Sequence, residues 1–347
     1  MEIRRLNTIR GVAVLIVIVS HYSNESKILG GVLGNGAGQL GVMLFFLLSS
    51  FLMSFLYLDK VPNTQNLVGF CVARIARVIP LFFLVVFVSF FGNIIFPSEF
   101  VHFLYPIADL SSLISNLLLL SGVKVMWTIP PEIQFYAAFA FFWFLTKKLG
   151  MGIMLFPIAL LGFYVFFPNP KIHEGTVFGL FFRLSILQVY ACFVVGLLFG
   201  VLYKKWSVPE KYKSKYFLCS LAVIPLLFPM IFFSYTGYLH AIWNEPGILI
   251  AISLVFFSLV FLVPDGNFLL ENKAGDFLGR VSYSTYLLHY PILMTMSGLG
   301  FSKKIIDGVI FILLTLVVSH LSFVFFESPA RSFIKNRFLK NLKVEGR

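Results

Sequence analysis

Charged residues are scarce in this 347-residue sequence: Asp, Glu, Lys and Arg account for 12% of it, about half the share of an ordinary water-soluble domain. With 59% hydrophobic residues alongside, that scarcity excludes water as the main solvent. Cysteine is scarcer still. Cys71, Cys192 and Cys219 are the only three, and no metal-ligand spacing relates them, so they read as packing residues and neither a disulfide framework nor a zinc site is expected. Strand-period alternation is missing, which excludes a β-barrel. No linker, low-complexity tract or internal repeat divides the chain, so one domain over residues 1–347 is expected, with no appended soluble domain. The first apolar block does not end in a small-residue cleavage pattern and reads as an uncleaved helix.

What the chain has instead is a series of apolar blocks of roughly 15 to 22 residues, each able to cross a hydrocarbon core of about 30 Å as a helix. Ten spans are predicted, near 9–23, 40–58, 75–96, 132–146, 151–168, 184–203, 216–233, 247–264, 280–298 and 305–326. The stretch from Leu113 to Leu120 is too short to cross and reads as a re-entrant or interfacial helix. The fold class is therefore all-α, a polytopic integral membrane helical bundle. The net charge of +12 would point to nucleic acid in a soluble protein, but here its placement reports topology, and no nucleic-acid partner is expected. With the N-terminus in the cytoplasm, every Lys and Arg except Lys27, Lys124, Lys171, Arg183, Lys303 and Lys304 falls on the cytoplasmic side. The positive-inside bias then places both termini in the cytoplasm. The basic turn from Lys204 to Lys215 reads as an orientation signal that touches anionic membrane lipid.

Ionisable side chains inside a bilayer cost free energy, so each one kept there asks for a reason. Arg10 and His21 stand eleven positions apart in the first span, three helical turns plus about 20°, which puts both on one face about 16 Å apart. That face joins the cytoplasmic surface to the outer part of the membrane; alternatively, Arg10 is a topology anchor and His21 an interfacial residue. Arg74 and Arg77, three apart at the start of the third span, can offer two guanidinium groups to one phosphate-rich ligand, or can serve only as positive-inside anchors. In the ninth span Ser282, Tyr286 and His289 share a face, and His289 lies at a depth similar to His21. The two histidines point to a shared cavity, against the alternative that each packs separately. His320 reads as a structural hydrogen bonder. On the outward side, the run from Trp127 to Tyr136 places Pro130 and Pro131 just before Glu132 and Gln134 enter the membrane. Irregular backbone at that depth is tolerated where it lines a cavity, and Glu132 either orients a histidine, binds an acceptor or caps its helix.

Taken together these segments resemble the membrane acyltransferase-3 family, which includes bacterial O-antigen and exopolysaccharide acetylases. The resemblance covers nearly the whole chain. It rests on the run from Leu6 to Ala13 leading to His21, the run from Gly41 to Leu52, Arg74-Ile75-Ala76-Arg77 with Ile79-Pro80, the run from Trp127 to Tyr136, the run from Leu278 to Pro291, and Glu327-Ser328-Pro329-Ala330-Arg331. Two positions depart from the family pattern: Ser49-Ser50 replaces the usual Ser-Gly, and Pro130-Pro131 the usual Ser-Val. The second is expected to reshape the acceptor mouth. The resemblance implies an O-acyltransferase of the bacterial inner membrane that moves acetyl from cytoplasmic acetyl-CoA, a co-substrate, to a hydroxyl of a surface or lipid-linked polysaccharide, with no metal. The family pattern maps onto Arg10, His21, Arg74 and Arg77; joined to the reading of the residues above, this makes His21, Glu132 and His289 the catalytic candidates and Arg10, Arg74 and Arg77 the donor-binding ones. Trp127, Gln134, Tyr136 and Tyr286 fall to the carbohydrate acceptor.

An imidazole suits His21 to act as general base on the acceptor hydroxyl, with Tyr286 or His289 donating to the developing oxyanion. Two competing classes are a transporter or flippase of a lipid-linked glycan and a scaffold subunit. A proton-coupled carrier would more often show a mid-span carboxylate and an internal repeat, and the sequence has neither.

Overall fold

The computed structural model describes residues 3–96, 104–166, 174–177, 180–183, 186–231, 242–301 and 304–344. Lys171, Lys303 and the last two positions of the predicted spans 151–168 and 216–233 lie outside the described residues. In chain order the elements are α1 (Arg4–Ser26), α2 (Gly38–Tyr57), α3 (Thr64–Ile95), α4 (Leu110–Leu117), α5 (Ile129–Leu149), α6 (Leu155–Phe166), β1 (Glu174–Val177), β2 (Leu180–Arg183), α7 (Ile186–Lys205), α8 (Val223–Leu226), α9 (Pro246–Phe257), α10 (Lys273–Gly298), α11 (Ile305–Ser322) and α12 (Ser328–Val344). The architecture is helical, with one short antiparallel hairpin, β1–β2, as a local exception.

Among the described residues, α1, α2, α3 and the stretch Ile305–Phe338, which joins α11 to α12, are long and apolar enough to cross a membrane. Their outer faces carry large apolar side chains in the open, among them Phe87, Phe91 and Ile94 on α3 and Leu313, Leu314 and Val317 on α11. A surface of that kind needs lipid around it. The predicted span at 216–233 is built differently from its neighbours: tight turns over Lys215–Ala222 run into the four-residue α8. Pro225 and Pro229 supply no backbone donor there, which keeps a regular helix from propagating.

The boundaries of α3 and α5 also differ from the sequence reading. The Asn63 side chain caps α3 by accepting the Asn66 N–H at 2.8 Å, so the helix starts at Thr64 and carries Arg74 and Arg77 well inside it. Pro130 and Pro131 begin α5 rather than break it, because first-turn N–H groups have no intrahelical partner to lose.

Two helix pairs set the core. α2 packs most extensively on α7, and α1 on α10. Along the second pair, Gly279 lies so close to Asn7 that a Cβ would sit 2.6 Å from the Asn7 Cα, and only glycine permits that approach. Contacts run from Asn7–Gly279 to His21–His289 to Glu25–Ser297, so the two helices climb in parallel. Pro291 lies inside α10 and leaves the Leu287 carbonyl without its usual helical donor. The buried Tyr105 hydroxyl fills that vacancy at 2.7 Å, which fixes α10 next to His289.

Arg5 anchors the opposite end. It is 1% exposed and donates to the carbonyls of Val260, Val263 and Pro264 and to the carboxylates of Asp265 and Glu271. This clamp ties the start of α1 to the connection between α9 and α10.

Candidate functional site

The helix pair α1–α10 brings His21 and His289 into direct contact. His21 Nδ1 lies 2.7 Å from His289 Nε2, and the ring planes are within 5° of parallel, with centroids 5.0 Å apart. The protons in this pair can be assigned by following partners. His289 Nδ1 faces the Thr285 carbonyl at 3.1 Å, and a carbonyl only accepts, so Nδ1 carries the hydrogen. With both rings neutral, His289 Nε2 is then an acceptor and His21 Nδ1 must donate to it. The unprotonated nitrogen of His21 is left as Nε2, the one atom of the pair free to take a proton from elsewhere. His289 is fully buried, whereas His21 lines a cleft of about 180 Å³, called the outer cleft after the expected topology, with Ser20, Asn24, Gln39, Lys124, Trp127 and Tyr286.

A second, narrower cavity lies towards the Arg10 end of α1 and includes Arg10, Ser49, Arg77, Glu132, Ser282 and Tyr286. Val42 and Tyr286 line both spaces. The lane expected along the Arg10–His21 face is therefore two chambers that meet at these two side chains. Tyr286 is held in that wall: its hydroxyl donates to the Val125 carbonyl at 2.8 Å and accepts from Thr128 Oγ1 at 3.1 Å.

In the inner chamber Glu132 Oε1 accepts from Ser49 Oγ at 3.2 Å and from the Tyr136 hydroxyl. It neither caps α5 through the backbone nor touches a histidine. The guanidinium of Arg74 lies over the Tyr136 ring, 5.9 Å from its centroid, and its Nε is buried without a partner. Arg10 has only a long 3.5 Å contact to Asn7 Oδ1. Among the described residues no ion pair joins Arg10, Arg74 or Arg77 to a carboxylate. Arg10 feels the like charges of Arg77 and Arg74, offset in part by Glu132, and Glu327 faces Arg77; the surplus of guanidinium groups suits a polyanion.

The remaining predicted positions separate. Trp127 and Tyr286 line the outer cleft, and Tyr136 belongs to the Glu132–Arg74 cluster. Gln134 lines neither cavity; its side-chain oxygen accepts the Ile186 N–H at 3.1 Å and ties α5 to the start of α7. The hydroxyl hydrogen of Tyr286 and both nitrogens of His289 are already committed, so neither residue has a donor free for an oxyanion in this conformation.

Several residues escaped the sequence reading. Ser49 reaches Glu132, and its match to the serine of the family's usual Ser-Gly was the available signal. Arg331 and Lys335 on α12 feel the charge of Arg74, and Arg331 that of Arg77 as well; Arg331 stood in the closing motif without a role, and distance in sequence hid its link to Arg74. Ser20 and Gln39 had no signal beyond adjacency to His21 and to a glycine run.

Residues 3–325 match the family model described as an acyltransferase domain. The chain belongs to the acyltransferase-3 family. Curated relatives include the O-acetyltransferase OatA of Staphylococcus aureus, 25% identical over 365 residues, an alignment that covers 94% of this chain and 57% of the relative. The peptidoglycan O-acetyltransferase OatA of Listeria monocytogenes is 26% identical over 372 residues, with 97% and 57% covered. The chain thus spans little more than half the length of these relatives. No solved structure matches it. The match gives the histidine pair and the arginine cluster a common context, since both lie within the matched residues.

Proposed function

We propose that this acyltransferase-3 member is an O-acetyltransferase that moves acetyl from cytoplasmic acetyl-CoA to a hydroxyl of a surface polysaccharide, in a bacterial inner membrane crossed ten times with both termini inside. The observation that carries the reading is the proton order of the histidine pair, which leaves His21 Nε2 basic and faces His21 to an outer cleft.

The donor's nucleotide phosphates sit at the arginine cluster, where bidentate guanidinium contacts suit them. An extended pantetheine arm is on the order of 15–20 Å by extended-chain arithmetic, and the Arg10–His21 separation along α1 is about 16 Å. The thioester therefore reaches the level of His21, past Val42 and Tyr286, which must yield to let it through. His21 Nε2 then takes the proton of an acceptor hydroxyl as its oxygen attacks the thioester carbonyl. The tetrahedral adduct collapses with cleavage of the C–S bond, and the departing thiolate takes the proton back from His21. While His21 is cationic, its Nδ1–H bond to His289 becomes charge-assisted and strengthens. His289 is thus a positioning residue that holds the tautomer.

Purified protein supplied with radiolabelled acetyl-CoA and a cell-wall glycan tests the reading: the wild type labels the glycan and His21→Ala, folded and inserted, does not. Absence of label with the wild type, or equal label with His21→Ala, refutes it.

A further inference from the structure

We propose that the outer cleft is the binding site for one pyranose ring of the acceptor, with Trp127 as its stacking face and Ser20 and Gln39 as its hydrogen-bond partners. The choice of a sugar as ligand rests on the acetyl-transfer reading above; the site itself rests on geometry.

Ser20 Oγ and Gln39 Oε1 are both buried without a hydrogen-bond partner, and both residues line the same cleft beside His21. Folded chains leave few such atoms unpaired, and two of them facing one cleft are placed to meet a ligand or ordered water. Ser20 is 1% exposed, and a helical serine ordinarily turns its hydroxyl back on the preceding turn; this one does not. Gly38 keeps the space beside it clear, since a Cβ there would approach Ser20 Oγ to 3.3 Å. Asn24 Oδ1 is taken by the Asn35 N–H at 2.6 Å, so Asn24 is fixed as part of the wall.

Trp127 supplies the other half of sugar recognition. Its ring stands edge-on to Trp243, 86° between planes and 5.8 Å between centroids, which holds it rigid where it lines the cleft. A rigid indole offers an apolar face to the C–H side of a pyranose, while amide and hydroxyl groups meet its hydroxyls. Among the described residues no carboxylate lines the cleft, and its ionisable groups are Lys124, His21 and the Tyr286 phenol. That lining suits a neutral polyhydroxylated ring with one hydroxyl turned towards His21.

The test uses the full chain purified in detergent, with tryptophan fluorescence titrated by two soluble probes, chitotetraose and maltotetraose. Saturable quenching by at least one probe is expected, lost in Trp127→Phe as the reporting ring is removed. Ser20→Ala and Gln39→Ala should each weaken binding about tenfold, the scale of one buried hydrogen bond to a ligand. In the transfer assay the same two variants should raise the acceptor KM about tenfold and leave the acetyl-CoA KM within about twofold of wild type. No saturable binding of either probe, or equal binding by wild type and both variants, overturns the site and leaves ordered water as the cleft's occupant. Sugar binding without any acetyl transfer keeps the site and rejects the reaction; transfer with unaltered acceptor KM in both variants keeps the reaction and rejects the site.

Discussion

Replacing His289 with leucine removes the acceptor that holds the proton on His21 Nδ1. In the ground state the loss is one hydrogen bond between neutral groups, worth roughly 0.5–1.5 kcal/mol net. In the transition state His21 is an imidazolium, and the same 2.7 Å contact becomes a bond from a charged donor, worth roughly 1.5–3 kcal/mol. The full burial of His289 favours the upper end, since a low local dielectric strengthens the interaction. The difference, on the order of 1–2 kcal/mol, is felt only in the transition state and corresponds to about a 5- to 30-fold fall in kcat. The KM for acetyl-CoA should stay near wild type because His289 lies away from the arginine cluster. Initial rates of acetyl transfer with both substrates varied measure this, on protein whose thermal midpoint confirms that it is folded. His289→Gln, whose amide oxygen can accept from His21 Nδ1, should recover part of the rate. A His289→Leu kcat within about twofold of wild type, or equal losses with leucine and glutamine, would refute the tautomer argument.

Arg74→Ala should raise the acetyl-CoA KM roughly ten- to a hundredfold, the worth of a charge-assisted bond to phosphate, with kcat little changed; a selective loss of kcat would contradict the donor role. Arg5→Met strips the clamp between the start of α1 and the α9–α10 connection, and a stability loss of roughly 1–3 kcal/mol is expected, because the Val260 and Val263 carbonyls lose their donor while the carboxylates left behind keep access to solvent. Thermal unfolding in detergent checks it, and an unshifted midpoint would show that the clamp is redundant. At the start of α10 the Arg4 side chain, helped by Asn7, holds the Asp276 carboxyl below its usual value. A depressed folded-state pKa contributes stability above the unfolded carboxylate range, near 4, and loses it as pH falls through the folded value. Asp276→Asn should therefore flatten the thermal midpoint against pH below about pH 4; an unaltered profile would place that acid sensitivity elsewhere.

The course of α1 shows how far the sequence carried. Eleven residues between Arg10 and His21 put both on one helix face whatever the neighbours do, because helical phase is local. The similar depths of His21 and His289 hinted at one cavity for the same reason. Their contact was not legible, since it depends on Gly279 admitting the Asn7 backbone and on Tyr105 securing the Leu287 carbonyl beside Pro291. Gln134 went the other way: its position in a polar run pointed to an acceptor, yet the start of α7 claims its side-chain oxygen.

Composition and periodicity by themselves determined a lipid-embedded helical chain with a few ionisable groups at given depths, because solvent preference and helical phase are properties of each segment alone. Which groups meet was decided only by tertiary packing. The direction of the proton on His21, the wall of Val42 and Tyr286 between two chambers, and the gathering of Arg331 and Lys335 beside Arg74 all join residues far apart in the chain, and no local pattern encodes the distance between two helices.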